Sequence, residues 1–285
     1  MLWRDGRRST NVEDQRGSRL SGKAKGGGIG IVILALIGMY FGIDPSIILN
    51  LGQNAQVVQS GPSNLPRQTE EERQLADFVS VVLADTEDTW NQLFRAAGKS
   101  YTEPTLVLFS GAVDSACGFA QAAMGPFYCP GDGKVYIDLS FYRDLKQQMN
   151  APGDFAQAYV IAHEVGHHVQ NLLGISSKMQ ALRRQVSESE YNRLSVKLEL
   201  QADCFAGIWA HNADRVRQVV EPGDIKEALN AASQIGDDRL QQRHRGYATP
   251  DSFTHGTSAQ RVRWFQQGYQ TGKVASCDTF NANSL

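Results

Sequence analysis

Features that would point to several functional classes are missing from this sequence. The formal net charge is only −2, so no basic field suggests a nucleic acid as a partner. No run of like charges is long enough to form an interaction tail. The composition, with 41% hydrophobic and 20% charged residues, is that of an ordinary globular protein. A chain of 285 residues can bury one large core or two small ones.

Cysteine is also scarce, and none of the four cysteines stands in a CxxC pair, which argues against a thiolate zinc site. An even number of cysteines permits disulfides in an oxidising compartment. The easier pairing is Cys117 with Cys129, because both lie near candidate strands of one short region, which leaves Cys204 with Cys277. Four reduced, buried cysteines are the alternative, and the sequence leaves both open.

The chain before residue 70 divides into three segments. Residues 1–25 are polar and rich in glycine, serine and arginine, which predicts a disordered basic segment. Residues 26–43 carry no charge, and we predict a transmembrane helix over residues 26–49. Residues 50–69 are polar, contain glycine and proline, and predict a linker.

Two alternatives to the transmembrane helix are consistent with part of the pattern of residues 26–43. A cleaved signal peptide has a similar charge pattern, but no clear small-x-small cleavage site follows the apolar run. A buried core helix is the other alternative, and the basic flank and the charge-free interior argue against it. Because basic residues precede the apolar run and none follows closely, we expect a cytoplasmic N-terminus and a domain outside.

Residues 70–285 form one predicted domain of the α+β class. Helical periodicity begins at Glu70, and residues 105–110 are apolar and β-prone. Residues 127–129 and 134–139 flank a glycine-rich turn and predict a hairpin. Helical sequence resumes at about Ser140. The order of helix, small sheet and several helices predicts a mostly helical fold with a small, antiparallel-rich sheet.

The most informative motif is HExxH, formed by His163, Glu164 and His167. In a helix, positions i and i+4 lie one turn apart on one face, so two imidazoles there can converge on one metal ion. Glu164 lies about 100° around the helix from His163, within reach of water beside the metal. Zinc lowers the pKa of bound water to about 7, and a carboxylate can then take its proton. The motif therefore predicts a catalytic zinc site with Glu164 as general base.

A third ligand is available at Glu199, in a segment that is otherwise apolar. Glu199 and Asp203 are i and i+4 on a second predicted helix, next to residues that look buried. Solvated helix charges are the alternative, but two acids in such a helix need a reason. Two histidines and one glutamate leave a fourth position for water, which is the arrangement of catalytic zinc. Asp203 could then accept the free N–H of one liganding histidine.

These residues carry a family resemblance. HEVGHH followed by ELQADCFAG is similar to the gluzincin zinc peptidases, and the whole chain, from MLWRDGRRS onward, resembles the bacterial putative neutral zinc metallopeptidases. The resemblance implies a zincin-like fold with one zinc ion per chain, held by His163, His167 and Glu199. It also implies Glu164 as the general base and Asp203 as the partner of a ligand.

The segment from Ser252 to Arg261 is similar to a late His-Pro-x4-Arg element of the prenyl endopeptidases, with Gly256 in place of proline. His255 could donate a hydrogen bond to the oxyanion of a tetrahedral intermediate, and Arg261 could pair with a carboxylate such as that of Asp203. A helix N-cap beside a surface histidine is the alternative. The remaining histidines have no partner pattern, and we expect no role for them in the site.

We therefore expect a zinc metallopeptidase in the bacterial inner membrane, anchored by a single pass, with its catalytic domain facing the periplasm or the exterior. Its partners would be the lipid bilayer and a protein or peptide substrate. Residues 116–122 are expected to be the sheet edge that binds an extended peptide. A zinc scaffold without catalysis and a zinc hydrolase acting on a non-peptide amide are the competing interpretations.

Overall fold

In the computed structural model, which describes residues 1–17 and 68–285, helix α1 (Glu70–Ala96) begins at a capping box. The side chains of Thr69 and Glu72 each accept the backbone N–H of the other residue. The helix ends just before Gly98, whose φ of 69° favours glycine. The helix predicted from Glu70 is confirmed.

Four strands form one mixed sheet in the order β1-β2-β6-β5. Their bounds are β1 (Val12–Asp14), β2 (Thr105–Phe109), β5 (Phe127–Cys129) and β6 (Lys134–Asp138). Strand β2 pairs in parallel with both β1 and β6, whereas β5 and β6 form the predicted antiparallel hairpin. The prediction of an antiparallel-rich sheet is wrong, because long connections, one of which includes α1, return the chain to the same end of the sheet.

Strands β3 (Ala112–Ser115) and β4 (Gly118–Gln121) form a separate antiparallel hairpin. This hairpin packs against one face of the sheet in a small hydrophobic cluster of Val107, Phe109, Val113, Ala120, Cys129 and Tyr136. The opposite face, with Leu106, Leu108, Val135 and Ile137, belongs to the main core beneath the helices. The alternation of the two faces along β2 and β6 follows from the period of two residues in a strand.

The second half of the described chain is helical, as predicted. Its helices are α2 (Ser140–Gln147), α3 (Asp154–Leu172), α4 (Ile175–Leu182), α5 (Glu188–Arg215), α6 (Asp224–Gln234), α7 (Asp237–Arg245) and α8 (Ser258–Thr271). Helix α5 packs mainly on α8 and α3. At its crossing with α8, a Cβ on Gly268 would lie 1.9 Å from the carbonyl oxygen of Cys204, so only glycine allows this approach. The α+β class is confirmed.

All four cysteines are paired in the structure. One disulfide joins Cys117 to Cys129, and the other joins Cys204 to Cys277. Of the two alternatives that the sequence leaves open, the structure therefore has the disulfides, and no reduced cysteine is present. The first bond attaches the turn of the β3–β4 hairpin to β5, and the second attaches α5 to the segment after α8.

Residues 1–17, which we call the N-terminal arm, are ordered, so the prediction of disorder over residues 1–25 is wrong for this part. Met1 is buried, and β1 belongs to the main sheet. The side chain of Glu87 in α1, which is 1% exposed, accepts hydrogen bonds from Arg7 (2.9 Å) and Ser9 (2.5 Å). The arm was predicted to be disordered because it is polar, and the partner that its polar side chains bind lies about 80 residues further along the chain.

The sheet also fixes how the arm and the domain can lie relative to a membrane. Residues 1–16 and 68–285 form one compact unit, so both must lie on the same side of any bilayer. A single crossing between a cytoplasmic N-terminus and an external domain is therefore incompatible with the pairing of β1 and β2. The predicted membrane helix (26–49) and nearly all of the predicted linker (50–69) lie outside the described residues. Within residues 1–17 and 68–285, no helix is both long and apolar enough to cross a membrane.

Candidate metal centre

The HExxH residues lie on α3 and face a cleft of about 920 Å³. Most of this helix is buried, because α3 is packed between the sheet and the other helices. His163 and Glu164 are 6% and 8% exposed. The rings of His163 and His167 lie 4.8 Å apart between centroids, as the i and i+4 spacing predicts.

Glu199 on α5 lies opposite the two histidines. Its carboxylate oxygens are 3.2 Å from Nε2 of His163 and 3.5 Å from Nε2 of His167. The two helices approach closely at Gly166, where a Cβ would lie 3.0 Å from the carbonyl oxygen of Ala202. The glycine inside the HExxH motif thus allows the third candidate ligand to reach the other two.

The geometry of these three residues fits a zinc ion. One ligand atom from each of His163, His167 and Glu199 lies within 4.8 Å of the other two. In a tetrahedral zinc site with bonds of roughly 2.0–2.2 Å, neighbouring ligand atoms are roughly 3.3–3.6 Å apart, close to the separations observed. Burial raises the pKa of Glu199, but the neighbouring histidines outweigh it and hold the pKa well below its usual value. The group therefore offers an anionic oxygen and two nitrogens, which is a donor set of zinc enzymes.

The outer nitrogens of both histidines are already occupied. Nδ1 of His163 lies 2.8 Å from Asp203, and Nδ1 of His167 lies 2.9 Å from Oε1 of Gln170. The Gln170 amide donates in turn to the carbonyl oxygen of Leu198, at 2.7 Å, which fixes its orientation. An Nδ1–H that donates to these oxygens leaves the Nε2 lone pair free and directed at the site. Both rings are thus held in the tautomer that a metal ion requires.

Asp203 is fully buried and bonds to three side chains, those of His163, Tyr159 and Arg261. Its carboxylate accepts two hydrogen bonds of 2.9 Å from Arg261 and one of 2.5 Å from the hydroxyl of Tyr159. Burial raises the pKa of Asp203, but Arg261 and His163 outweigh it and lower the pKa. Sequence reasoning missed Tyr159, although it precedes His163 by four residues and therefore lies on the same face of α3.

His255 lies on the wall of the same cleft, in the loop before α8. Its side chain is 51% exposed, and its Nδ1 lies 3.2 Å from Asp237. The other carboxylate oxygen of Asp237 accepts the backbone N–H groups of residues 254–256, which fixes this loop. Partial burial lowers the pKa of His255, but Asp237 and Glu199 outweigh it and raise the pKa. Sequence reasoning missed Asp237, and no local pattern links it to a histidine 18 residues away.

A second group of acidic side chains, Asp154, Asp224 and Glu227, is close enough to surround a cation. The ammonium group of Met1 already lies there, 2.8 Å from Asp154 and 3.3 Å from Asp224. The acidic side chains already have this positively charged ammonium group as a partner, so we assign them no metal ion.

Comparisons with known proteins agree with this geometry. A family model described as "Putative neutral zinc metallopeptidase" matches residues 1–280. The chain is 51% identical over 290 residues to "Uncharacterized protein YpfJ" of Escherichia coli (strain K12), across 98% of this chain and 99% of the relative. It is 43% identical over 218 residues to "Uncharacterized protein Rv2575" of Mycobacterium tuberculosis (strain ATCC 25618 / H37Rv), across 73% of each chain. No solved structure matches the chain.

The family model spans the N-terminal arm, the HExxH helix and the segment that carries His255. The relatives' names state no activity, so the family alone is taken from them. The chain belongs to the putative neutral zinc metallopeptidase family.

Proposed function

We propose that this protein is a zinc-dependent metallopeptidase that hydrolyses peptide bonds. One observation supports the proposal above all others: Nε2 of His163 and of His167 converge on Glu199 while both Nδ1 atoms are occupied by other residues. Zinc held by these three residues would supply a Lewis acid that polarises a scissile carbonyl and makes a water molecule more acidic. A fourth position open to the cleft would admit water and substrate.

Glu164 is the general base in this proposal. It follows His163 directly, lies on the wall of the cleft and is not one of the three converging ligands. Its carboxylate takes a proton from the attacking water and passes it to the leaving amine. A carboxylate on the same helix as two ligands is held in place by the helix itself, which keeps the distance to the reacting water short.

His255 donates a hydrogen bond to the oxyanion of the tetrahedral intermediate. Its Nδ1 is held by Asp237, so its Nε2 is the nitrogen that remains for the substrate. The raised pKa favours the protonated ring, which is the form that donates from Nε2 while Nδ1–H faces Asp237. Arg261 does not reach the substrate in this proposal, because it is bound to Asp203 behind His163.

An extended peptide would bind along β5 rather than along residues 116–122. The structure places most of that predicted edge in the separate β3–β4 hairpin, and of these residues only Ala122 lines the cleft. Strand β5 ends the four-stranded sheet, and its residues Phe127 and Tyr128 line the cleft. A free strand edge offers backbone N–H and C=O groups at the spacing of an extended substrate.

The competing interpretations have less support. Structural zinc sites are usually closed and rich in cysteine, whereas all four cysteines here are in disulfides and the site faces a cleft. A hydrolase of a non-peptide amide would use the same groups, so a test with different substrates must distinguish the two functions.

We would incubate the zinc-loaded chain with an unfolded protein, and separately with small non-peptide amides, and identify products by mass spectrometry. Cleavage of the protein that a zinc chelator stops supports the peptidase. Cleavage of the amides alone, or of nothing, contradicts it.

The membrane location is a further proposal, because residues 26–49 lie outside the described part of the chain. We propose that any contact of this segment with a bilayer leaves the N-terminal arm and the metal centre together on the periplasmic or exterior side. The two disulfides support this, since such bonds persist in oxidising compartments. Asp5 and Asn283 are exposed, and each can be replaced by cysteine. A membrane-impermeant maleimide should label both variants in intact cells, and labelling of only one would contradict the shared side.

A further inference from the structure

His168 follows the candidate ligand His167 but faces away from the metal centre. It is 3% exposed, and its Nε2 lies 2.6 Å from the carbonyl oxygen of Thr102. A carbonyl oxygen can only accept, so this nitrogen carries a proton, and in the neutral ring Nδ1 is then an acceptor. The group 3.1 Å from Nδ1 is the hydroxyl of Tyr128, which must therefore donate to it.

Tyr128 is the middle residue of β5, the strand that lines the cleft. Besides donating to His168, its hydroxyl accepts a hydrogen bond of 3.0 Å from Asn171. Asn171 and His168 are three residues apart on α3 and so lie on one face of this helix. The Tyr128 and His168 rings also meet edge to face, with 5.4 Å between centroids. The hydroxyl is thus fully engaged by the helix that carries the candidate zinc ligands.

The other two residues of β5 are held from the opposite side. Phe127 stacks on Tyr136 with ring centroids 4.8 Å apart, and Cys129 is bonded to Cys117. Within the part of the chain that the structure describes, β5 pairs through its backbone with β6 alone. The strand therefore has both faces anchored while one backbone edge is left for a further strand.

We propose that Tyr128, His168 and Asn171 form a brace that sets the position of β5 relative to the zinc-binding helix. The brace joins β5 to the helix of His163 and His167. It therefore fixes where the scissile bond of a peptide docked on β5 lies relative to the metal centre. The three are positioning residues for substrate, and they touch neither the metal ligands' donor atoms nor the reacting groups. This inference rests on the proposed peptidase function and on β5 as its docking edge.

Replacing Tyr128 by Phe tests the brace, because it removes the hydroxyl and keeps the ring. We would measure backbone hydrogen exchange of residues 127–129 in the full zinc-loaded chain, together with bound zinc, kcat and KM. Loss of two hydrogen bonds should speed exchange in β5 by about tenfold and raise KM by about two- to tenfold. Bound zinc should stay at its wild-type value.

A matched pair at His168 provides the second test. A Gln side chain can accept from Tyr128 and donate to the carbonyl oxygen of Thr102, as the imidazole does, whereas Leu can do neither. We expect His168→Leu to behave like Tyr128→Phe, and His168→Gln to return exchange and KM toward the wild type. A merely structural role would lower stability in both variants without this difference in KM.

Hydrogen exchange needs no substrate, so it judges the brace even if the wild type cleaves no peptide. Wild-type exchange of β5 in Tyr128→Phe would overturn the brace whatever the activity. Faster exchange with unchanged KM in an active enzyme would overturn its role in positioning substrate. Loss of zinc from Tyr128→Phe would also overturn the proposal, because the brace would then act on the metal. A wild type that cleaves nothing, with fast exchange in the variant, defeats the proposed function but not the brace.

Discussion

The metal centre and the N-terminal arm each surround a glutamate carboxylate with polar groups from distant parts of the chain. Glu199 meets two histidines of α3, and Glu87 meets Arg7, Ser9 and Asn11 of the arm. The first arrangement follows a regular spacing, because imidazoles at i and i+4 of a helix lie on one face and can share a metal ion. The second follows no spacing, because any extended segment can provide hydrogen bonds. The difference shows that chemistry with strict geometry leaves a local pattern, whereas docking of an arm does not.

Removing one candidate zinc ligand tests the metal centre most directly and should have the largest effect. His167→Ala takes away one of three donors, and we expect the variant to hold no stoichiometric zinc and to have no activity. His255→Ala is the matched control, since His255 lines the same cleft without being one of the converging ligands. It should keep one zinc per chain. Equal zinc content in the two variants, measured by metal analysis after dialysis, would contradict the ligand assignment.

The contribution of the N-terminal arm to stability is tested by deleting it. Deleting residues 1–16 takes Met1 and Trp3 from the main core and β1 from the sheet. Burial of one large apolar side chain is worth roughly 1.5–3 kcal/mol, so the free energy of unfolding should fall by about 3 kcal/mol or more. Urea denaturation of the two chains measures this difference.

A peptide of residues 1–17, added in excess, should restore the lost stability, and a scrambled peptide should not. If the arm is only an appended tail, the midpoint of denaturation will not move when it is deleted. A fragment that begins at residue 68 is therefore a poor substitute for the full chain.

The support of the ligands should have a smaller effect than the ligands themselves. Asp203→Asn weakens the acceptor of the His163 Nδ1–H, and changes of this kind cost about 10- to 100-fold in metal affinity. Competition with a zinc-binding dye measures the affinity. Asp224→Asn, in the acidic group around Met1, is the control and should leave zinc affinity unchanged. Equal affinities for the two variants would mean that Asp203 does not support the site.

The smallest effect concerns the pH dependence of the proposed reaction. Asp237 and Glu199 together raise the pKa of His255, so the protonated ring is present below this raised pKa and is lost as the pH rises through it. Asp237→Asn removes one carboxylate and lowers the pKa. The alkaline limb of the profile of kcat/KM against pH should then move to lower pH. A limb that stays in place or moves to higher pH would rule out His255 as the protonated donor.

Much of the fold follows from short-range patterns. The helix from Glu70, the β5–β6 hairpin and the helical second half are each set by spacing and turn residues within a few positions. The sheet order could not be predicted, because it depends on β1, whose partners Leu106 to Leu108 are over 90 residues away. The parallel pairing of β2 with both β1 and β6 makes the sheet mixed, and the pairing of β1 with β2 is incompatible with a single crossing between the arm and the domain.

The candidate site divides in the same way. His163, Glu164 and His167 were identified from their spacing. Glu199 and Asp203 were identified because they are two acids in an apolar helix whose sequence resembles a known family. The structure brings His163, His167, Glu199, Asp203 and Arg261 together and places Glu164 and His255 on the cleft wall. Asp237 and the Tyr128 brace could not be found, because each joins a loop or strand to a helix that is distant in the sequence, and no local spacing marks the contact.

The central claim is that Glu164 performs the chemistry at a zinc ion held by other residues. The most direct test is to measure bound zinc and peptide cleavage in the full chain and in Glu164→Gln, side by side. We expect one zinc ion per chain in both proteins, with cleavage lower in the variant by about 10²- to 10⁴-fold. Zinc in neither protein, or wild-type cleavage by Glu164→Gln, would contradict it.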